Sequence, residues 1–272
     1  MRDDREPTAD RAPVTGDGFP GSGRRVLVTG AAGGLGRALV RAFAANGDRV
    51  ALHYGSRRAE AEETAAGLPG TGHTVLGADL TDAARAGALV EAAADALGGI
   101  DVLVNNAAAR TAAHPPAGTP AADWIAAWER HVAVNLLAPA HLSHAAAQRM
   151  IAQGGGGRIV NVGSRGAFRG EPDHPAYGAT KAGLHALGQS LAVALGPHGI
   201  AVASVAPGFI DTDRVAHRLS GAEGEAIRSQ SPFGRVAVPE DVAAAVLWLA
   251  SPQAQWSSGT VLDVNGASYL RT

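Results

Sequence analysis

The sequence predicts an α/β fold, a mostly parallel sheet with helices on both faces. Three observations predict it. From Arg24 onward, short Val-rich apolar runs alternate with longer stretches of helical periodicity. The first of them, "RRVLVTG", is a short apolar run rich in Val, suited to a strand buried on both faces. A glycine-rich turn, "VTGAAGGLG", joins the first run to the first helical stretch.

Each element follows in order. "RRVLVTG" is the first strand, and "LGRALVRAFAANG" continues with helical spacing to an Asn-Gly stop. "DRVALHYG" is a second strand, "RAEAEETAAGL" a helix and "HTVLGADL" a third strand. "AARAGALVEAAADALGG" is a helix and "IDVLVNNAA" a fourth strand. A long helix covers 121–153, and "GRIVNVGS" is strand five. A helix from Tyr177 to Leu195 leads into "GIAVASVAPG", strand six; "PEDVAAAVLWLAS" is a late helix and "TVLDVNG" a last strand. This alternation is that of a doubly wound, Rossmann-like fold, whose ligands lie beyond the carboxyl ends of the strands.

The chain of 272 residues reads as one catalytic domain over 24–272, preceded by a polar, Pro- and Gly-rich leader over 1–23 expected to be disordered. That leader lacks the apolar core of a signal peptide, and no apolar run approaches a membrane span, so a cytoplasmic protein is expected. A net charge of −2 argues against a nucleic-acid or anionic-membrane surface, and the absence of cysteine excludes disulfides and thiolate metal sites. His141 and His144 stand at i, i+3 without a third ligand, so no metal site is expected. Trp124 and Trp128, at i, i+4, read as packing residues.

Three stretches carry chemistry. In the glycine turn, Gly30, Gly34 and Gly36 give the spacing G-x-x-x-G-x-G. Such a turn lets a backbone approach a pyrophosphate at a helix N-terminus. In "HPAYGATKAG", Tyr177 and Lys181 are four residues apart and so share one helix face. A phenol ordinarily titrates near ~10, and a neighbouring ammonium favours its ionised form. Asn135 lies inside a predicted helix, where Asn is a poor choice, with Pro139 four residues on. If the stretch is helical, Pro139 leaves the Asn135 carbonyl without its N–H partner; otherwise the helix ends near 135 with Asn as a cap.

Four further segments complete a pattern: "NNAA" (Asn105 to Ala108), "VNLLAP" (Val134 to Pro139), Ser164 placed 13 residues before Tyr177, and "APGFIDTD" (Ala206 to Asp213). Together these motifs resemble the short-chain dehydrogenase/reductase family, in particular its single-domain branch that includes 3-oxoacyl-thioester reductases. There are departures. The usual NNAG is NNAA, with Ala108 fourth, and Ser204 stands where the family often has Asn.

The resemblance implies an oxidoreductase in which Tyr177 is the general acid, Ser164 holds the substrate oxygen, Lys181 holds the nicotinamide ribose, and Asn135 joins a water-borne proton relay to Lys181. It implies cofactor contacts at Gly30, Gly33, Gly34, Leu35 and Gly36; at Ser56, Arg57 and Arg58; at Asp79 and Leu80; at Asn106 and Ala107; at Tyr177 and Lys181; and at Pro207, Gly208, Ile210 and Thr212. The second strand ends in "HYGSRR", with no acidic residue for a ribose 2′-OH but two guanidinium groups suited to a 2′-phosphate. NADP(H) is therefore expected, with NAD(H) as the other candidate, although the glycine loop carries Gly33 where a basic residue is common in NADP-binding relatives.

The expected reaction is reduction of a small-molecule ketone or 3-oxo compound by NADPH. The alternatives are an NAD-linked dehydrogenase of a sugar or secondary alcohol, and a non-catalytic redox sensor. Val193 and Ala194, where charge is frequent in carrier-protein reductases, weaken a carrier-bound substrate. Specificity is expected in "RTAAHPPAGTP" and in "DRVAHRLSGAEGEAIRSQSPFGR", the latter read as a lid. His174 and Phe168 either line the substrate entrance or shape the loop before Tyr177. A homotetramer is expected, because relatives pair the long and catalytic helices, and the helix from Tyr177 has little polar face.

Overall fold

The computed structural model describes residues 23–213 and 215–271. The expected leader, apart from Gly23, lies outside them. Among the described residues seven strands form one sheet: β1 (Arg25–Val28), β2 (Arg49–Tyr54), β3 (Thr74–Gly77), β4 (Val102–Asn105), β5 (Gly157–Val162), β6 (Ile200–Pro207) and β7 (Val261–Val264). Their order is β3-β2-β1-β4-β5-β6-β7, with every neighbouring pair parallel. The chain reverses direction of travel between β1 and β4, and the crevice beyond their carboxyl ends is where such sheets bind ligands.

The helices are α1 (Gly34–Ala45), α2 (Arg58–Ala66), α3 (Ala83–Leu97), α4 (Ala121–Val132), α5 (Ala138–Gln153), α6 (Gly166–Arg169), α7 (Pro175–Leu195), α8 (Gly221–Arg228) and α9 (Pro239–Leu249). They cover both faces of the sheet, which explains why adjacent residues along a strand such as β1 are apolar. In β1, Val26 and Val28 pack with Leu39, Phe43 of α1 and Val246 of α9, whereas Leu27 packs with Leu89 of α3 and Leu142 of α5. Each such fully buried side chain contributes roughly 1.5–3 kcal/mol, so neither face of the strand tolerates a polar alternation.

The long helix predicted over 121–153 continues through residue 135, and the reading in which it ends there is set aside. It is interrupted by a π turn over Ala133–Leu137, between α4 and α5, where the Ala138 N–H bonds back to the Ala133 carbonyl. The irregularity has a cause in the sequence: Pro139 lacks the N–H that an α-helix would direct at the Asn135 carbonyl. The sequence reading missed α6 and α8. The latter lies in the segment expected to be a lid; the residues after it are tied down by Arg165 Nη2–H to Gln230 Oε1 (2.7 Å) and Ser231 Oγ–H to the Gly266 carbonyl (2.6 Å).

Candidate active site

The nucleotide side begins at the turn after β1. Gly30 adopts a left-handed φ of +68°, and a Cβ there would come within 2.9 Å of Ala107 Cα. A Cβ on Gly36 would strike the Gly30 carbonyl oxygen. Only glycine fits these two positions. Gly33 caps α1 without a side-chain hydrogen bond, and the first turn of α1 holds no acidic residue. The opening N–H groups of a twelve-residue helix are thus left for an anion.

This turn is held from two directions. Thr29 Oγ1 accepts from the N–H of Asn106 (2.9 Å) and of Ala107 (3.0 Å). The Asn106 amide donates to the carbonyls of Thr29 (2.8 Å) and Gly30 (3.2 Å). Asn106, expected to touch cofactor, therefore spends its side chain on fixing the loop. From the other side, the buried His53 accepts the Gly30 N–H at Nδ1 (3.1 Å) and donates from Nε2 to the Ala78 carbonyl (3.1 Å). The His53 carbonyl also accepts the Ala31 N–H (2.8 Å). Burial pushes the His53 pKa down, which keeps the ring neutral, as its acceptor role requires. Sequence reasoning missed His53; the signal was a lone histidine inside the apolar run "VALHY".

The two arginines after β2 are not equivalent. Arg57 lies over the glycine turn, with Nη2 3.2 Å from where a Gly33 Cβ would stand, so it supplies the positive charge that the turn itself lacks. Arg58 is turned away onto Glu62 (2.7 Å). Ser56 is exposed beside them. Asp79 Oδ1 accepts from the Thr81 N–H (3.0 Å) and hydroxyl (2.8 Å), bonds that hold its carboxyl below the usual range. Leu80 is buried, and Leu35 is packed against the core. Beyond β6, Gly208 donates to the Val264 carbonyl (3.1 Å), Ile210 bridges to Ala237, and Thr212 packs on Gly34. The loop from Pro207 thus reaches the N-terminus of α1. These glycines, the uncapped helix and Arg57 fit a dinucleotide.

The reacting side lies at the ends of β5 and α7. Tyr177 and Lys181 share the inward face of α7, with Lys181 Nζ 5.8 Å from the Tyr177 ring centre. Lys181 is 2% exposed and donates to the Val162 carbonyl at the end of β5 (2.7 Å). Ser164 Oγ accepts the Gly166 N–H (3.0 Å) at the start of α6. That bond occupies a lone pair and leaves the hydroxyl hydrogen to donate elsewhere.

Asn135 is fully buried in the π turn and joins three segments. Its Oδ1 accepts the Ala109 N–H (2.8 Å); its Nδ2 donates to His131 Nδ1 (2.9 Å) and Thr180 Oγ1 (3.1 Å). Because Nδ2 is a donor, His131 Nδ1 is an acceptor. His131 Nε2–H then donates to Thr111 Oγ1 (3.0 Å). The side chain of Asn135 is thereby occupied, so the relay expected of Asn135 would fall to its main-chain carbonyl, which Pro139 at i+4 cannot bond.

Four rings adjoin this network. His131 meets Tyr177 edge-on at 6.0 Å, and His114 lies 5.7 Å from His131, 5.5 Å from His174 and 6.2 Å from Trp124. His174 thus joins the rings near Tyr177. Phe168 does not: it stacks on His185 at 5.2 Å, under Arg271. Trp124 packs on Trp128 at 5.8 Å. His114 and His131 were not singled out beforehand, although His131 stands at i−4 from Asn135. His141 and His144 are exposed, and among the described residues no three metal-ligating side chains cluster.

The parallel sheet, the glycine turn at its switch point and the Ser–Tyr–Lys grouping define a nucleotide-dependent oxidoreductase. The family described as "Enoyl-(Acyl carrier protein) reductase" matches residues 30–267. An L-rhamnose 1-dehydrogenase (NAD(P)(+)) from Azotobacter vinelandii is 40% identical over 253 residues, covering 91% of this chain and 97% of that protein. A D-threitol dehydrogenase from Mycolicibacterium smegmatis is 34% identical, covering 92% and 94%. Among solved structures, a 3-ketoacyl-(acyl-carrier-protein) reductase from Brucella melitensis complexed with NADH matches with a TM-score of 0.80 and 30% identity, over 91% of this chain and 99% of that one. The chain belongs to the short-chain dehydrogenase/reductase family and is an NAD(P)-dependent oxidoreductase. Among the described residues, no helix is long and apolar enough to cross a membrane.

Proposed function

We propose that this protein oxidises a secondary or anomeric hydroxyl of a sugar or polyol with an oxidised nicotinamide dinucleotide. The observation that carries the reading is the likeness, over nine-tenths of the chain, to dehydrogenases named for rhamnose and threitol. These relatives favour the sugar-dehydrogenase alternative over the expected reduction of a 3-oxo compound. The surroundings of Tyr177 agree with it: the ring that meets the phenol is His131, bonded to Thr111 and Asn135, with His114 and His174 beyond it, where a fatty chain would call for apolar groups.

A bound nicotinamide supplies the hydride acceptor. The chain's own residues handle the proton. Lys181 favours the Tyr177 phenolate, which takes the hydroxyl proton of the substrate. Ser164, with its Oγ lone pair tied to Gly166, donates its hydroxyl hydrogen to the reacting oxygen and orients it. The Asn135 carbonyl, which Pro139 at i+4 cannot bond, holds the water through which Lys181 exchanges protons. Arg57, over the glycine turn, favours NADP over NAD.

Assembly as a homotetramer is part of the proposal. Ile125 of α4, Leu137 of the π turn and Val193 of α7 are exposed large apolar residues, as are Trp248, Trp256 and Leu270 of the C-terminal part. Light scattering checks it, and a mass near that of one chain, 27.4 kDa, would refute it. The activity test follows A340 with L-rhamnose, D-threitol and cyclohexanol plus NAD+ or NADP+, and with a 3-oxoacyl thioester plus NADPH. Turnover of the sugar or polyol is expected; turnover of the thioester alone would overturn the reading.

A further inference from the structure

We infer that Arg165 is a positioning residue, whose buried guanidinium fixes the turn that carries Ser164 against three other segments of the chain. This rests on the reading above that Ser164 holds the reacting oxygen, whichever alcohol is oxidised. The Ser164 hydroxyl moves with its turn, because its Oγ accepts the N–H of Gly166 two residues on. Arg165 stands in the middle of that turn and caps α6. Its main chain holds one side: the Arg165 N–H donates to the Pro207 carbonyl at the end of β6 (3.0 Å), and its carbonyl accepts the Phe168 N–H (3.0 Å).

The side chain holds the other. Arg165 is 5% exposed, and arginine is seldom buried so far. Its two terminal nitrogens go to segments remote from each other in sequence. Nη1 donates to Ser268 Oγ in the tail after β7, and Nη2 to Gln230 Oε1 just after α8 (2.7 Å), an oxygen that Arg169 also reaches (3.1 Å). The guanidinium carbon lies 5.2 Å from the centre of the Phe209 ring, in the loop that runs from Pro207 toward α1. Both acceptors are neutral, so neither neutralises the charge. What the guanidinium offers is a rigid fork of donors that reaches two segments at once. Burial, with the charge of Arg169, pushes its pKa down to about 10, so the fork keeps all its hydrogens near neutrality.

The segments it gathers are tied to one another as well. Ser231 Oγ–H donates to the Gly266 carbonyl (2.6 Å), joining the chain after α8 to the tail. The Tyr269 hydroxyl donates to the Phe168 carbonyl of α6 (3.2 Å), and Asn265 Nδ2 to the Tyr269 carbonyl (3.0 Å), so the tail returns to the helix that Arg165 caps. Arg165 is the residue at which this ring of contacts meets the Ser164 turn. A small shift of that turn misplaces the hydroxyl relative to the reacting oxygen, and such misplacement is costly in rate. A cavity of about 300 Å³ borders the guanidinium, lined also by Phe209, Ser231, Phe233 and Asn265. It has room for a free guanidinium ion when the side chain is cut back.

The test measures kcat and KM on L-rhamnose, D-threitol, cyclohexanol and the 3-oxoacyl thioester for wild type, Arg165→Met, Ser164→Ala and the double variant. Met keeps much of the length and has no donors. Arg165→Met is expected to lower kcat and kcat/KM together, about ten-fold or more, with substrate KM and nucleotide affinity changed less than two-fold, as loss of a transition-state interaction requires. In the Ser164→Ala background the same substitution is expected to cost less than two-fold, because its effect passes through Ser164. Millimolar guanidinium chloride is expected to restore turnover to Arg165→Ala, and sodium chloride at equal ionic strength is not. Additive effects of the two substitutions, a rise in KM in place of the fall in kcat, no fall, or no recovery with guanidinium would each overturn the assignment. A circular-dichroism melt accompanies each variant. If the Arg165 variants do not fold, Gln230→Leu and Ser268→Ala, which remove the acceptors singly, replace them under the same kinetic criteria. Wild-type activity on a sugar or polyol with an indifferent Arg165 would refute the inference alone. Turnover of the thioester alone would refute the proposed function, while the same series run on the thioester still decides Arg165. Wild type inactive on every substrate would refute both.

Discussion

The nucleotide side and the substrate side of this site are built by different means. Around the glycine turn the chain bonds to itself, main chain to main chain or through short polar side chains such as Thr29 and Asn106. Around Tyr177 the work is done by rings and by one buried amide, Asn135, that holds three segments together. The first construction presents backbone N–H groups, which suit any dinucleotide. The second presents individual side-chain atoms, which suit one substrate shape. A family can therefore keep the first and vary the second.

The comparison breaks most completely at Tyr177. Tyr177→Phe is expected to lower kcat by about 10²–10⁴-fold, with cofactor affinity by fluorescence titration nearly unchanged. Retention of more than a tenth of the wild-type kcat would show that the phenol is not the base.

Removal of the amide that ties the substrate side together comes next. Asn135→Ala leaves the Ala109 N–H and His131 Nδ1 without their partners. At about 1–3 kcal/mol for each buried group, stability falls by at least about 2 kcal/mol. The melting temperature should drop by roughly 4–8 °C, and activity should fall with the loss of loop position. An unchanged Tm would show that the segments hold without the amide.

On the nucleotide side, Arg57→Ala should narrow the NADP/NAD preference about ten-fold, because a charge-assisted contact is worth about 1.5–3 kcal/mol. Arg58→Ala should change it less than two-fold, since that guanidinium is paired with Glu62. Equal effects of the two substitutions would mean that the geometry over Gly33 does not decide specificity.

The smallest effect is a dependence on pH shared by both sides. Burial pushes His53 down, and pushes His185, behind the Ser164 carbonyl, down to about 4. A depressed histidine contributes stability that is complete above its unfolded value, about 6.5, and is lost as pH falls toward the folded one. Thermal melts should therefore show Tm falling between pH 6.5 and 5. The fall should be shallower in His185→Phe, and a wild-type profile in that variant would exclude His185 as a source.

The same difference of construction decides what could be read from the chain. Glycine spacing and a Tyr–Lys pair at i, i+4 are local patterns, and local patterns survive in a linear text. The seven strands were legible too, because both faces of the sheet are covered and each strand carries adjacent apolar residues. His114 was not legible. Its partner Asp173 is far along the chain and comes near only because β4 and β5 are parallel neighbours, which brings their following loops side by side. His53 and Gly30, 23 residues apart, meet for the same reason across β1 and β2. The inequality of Arg57 and Arg58 likewise depends on where a helix begins, a boundary that composition does not mark.

The π turn between α4 and α5 has a consequence for how this helix is used. One extra residue in a turn shifts the phase of everything beyond it by about 100° around the axis. The two halves therefore face different ways. His131, before the shift, is aimed at Tyr177; Leu142 and Met150, after it, are aimed at the sheet and α3. A single rod thus serves as two tools: its first half can be rewritten to suit a new substrate while the second keeps its grip on the sheet. Deleting one residue within 133–137 would remove the offset and rotate the substrate-facing half out of alignment, with no apolar contact of α5 altered in composition.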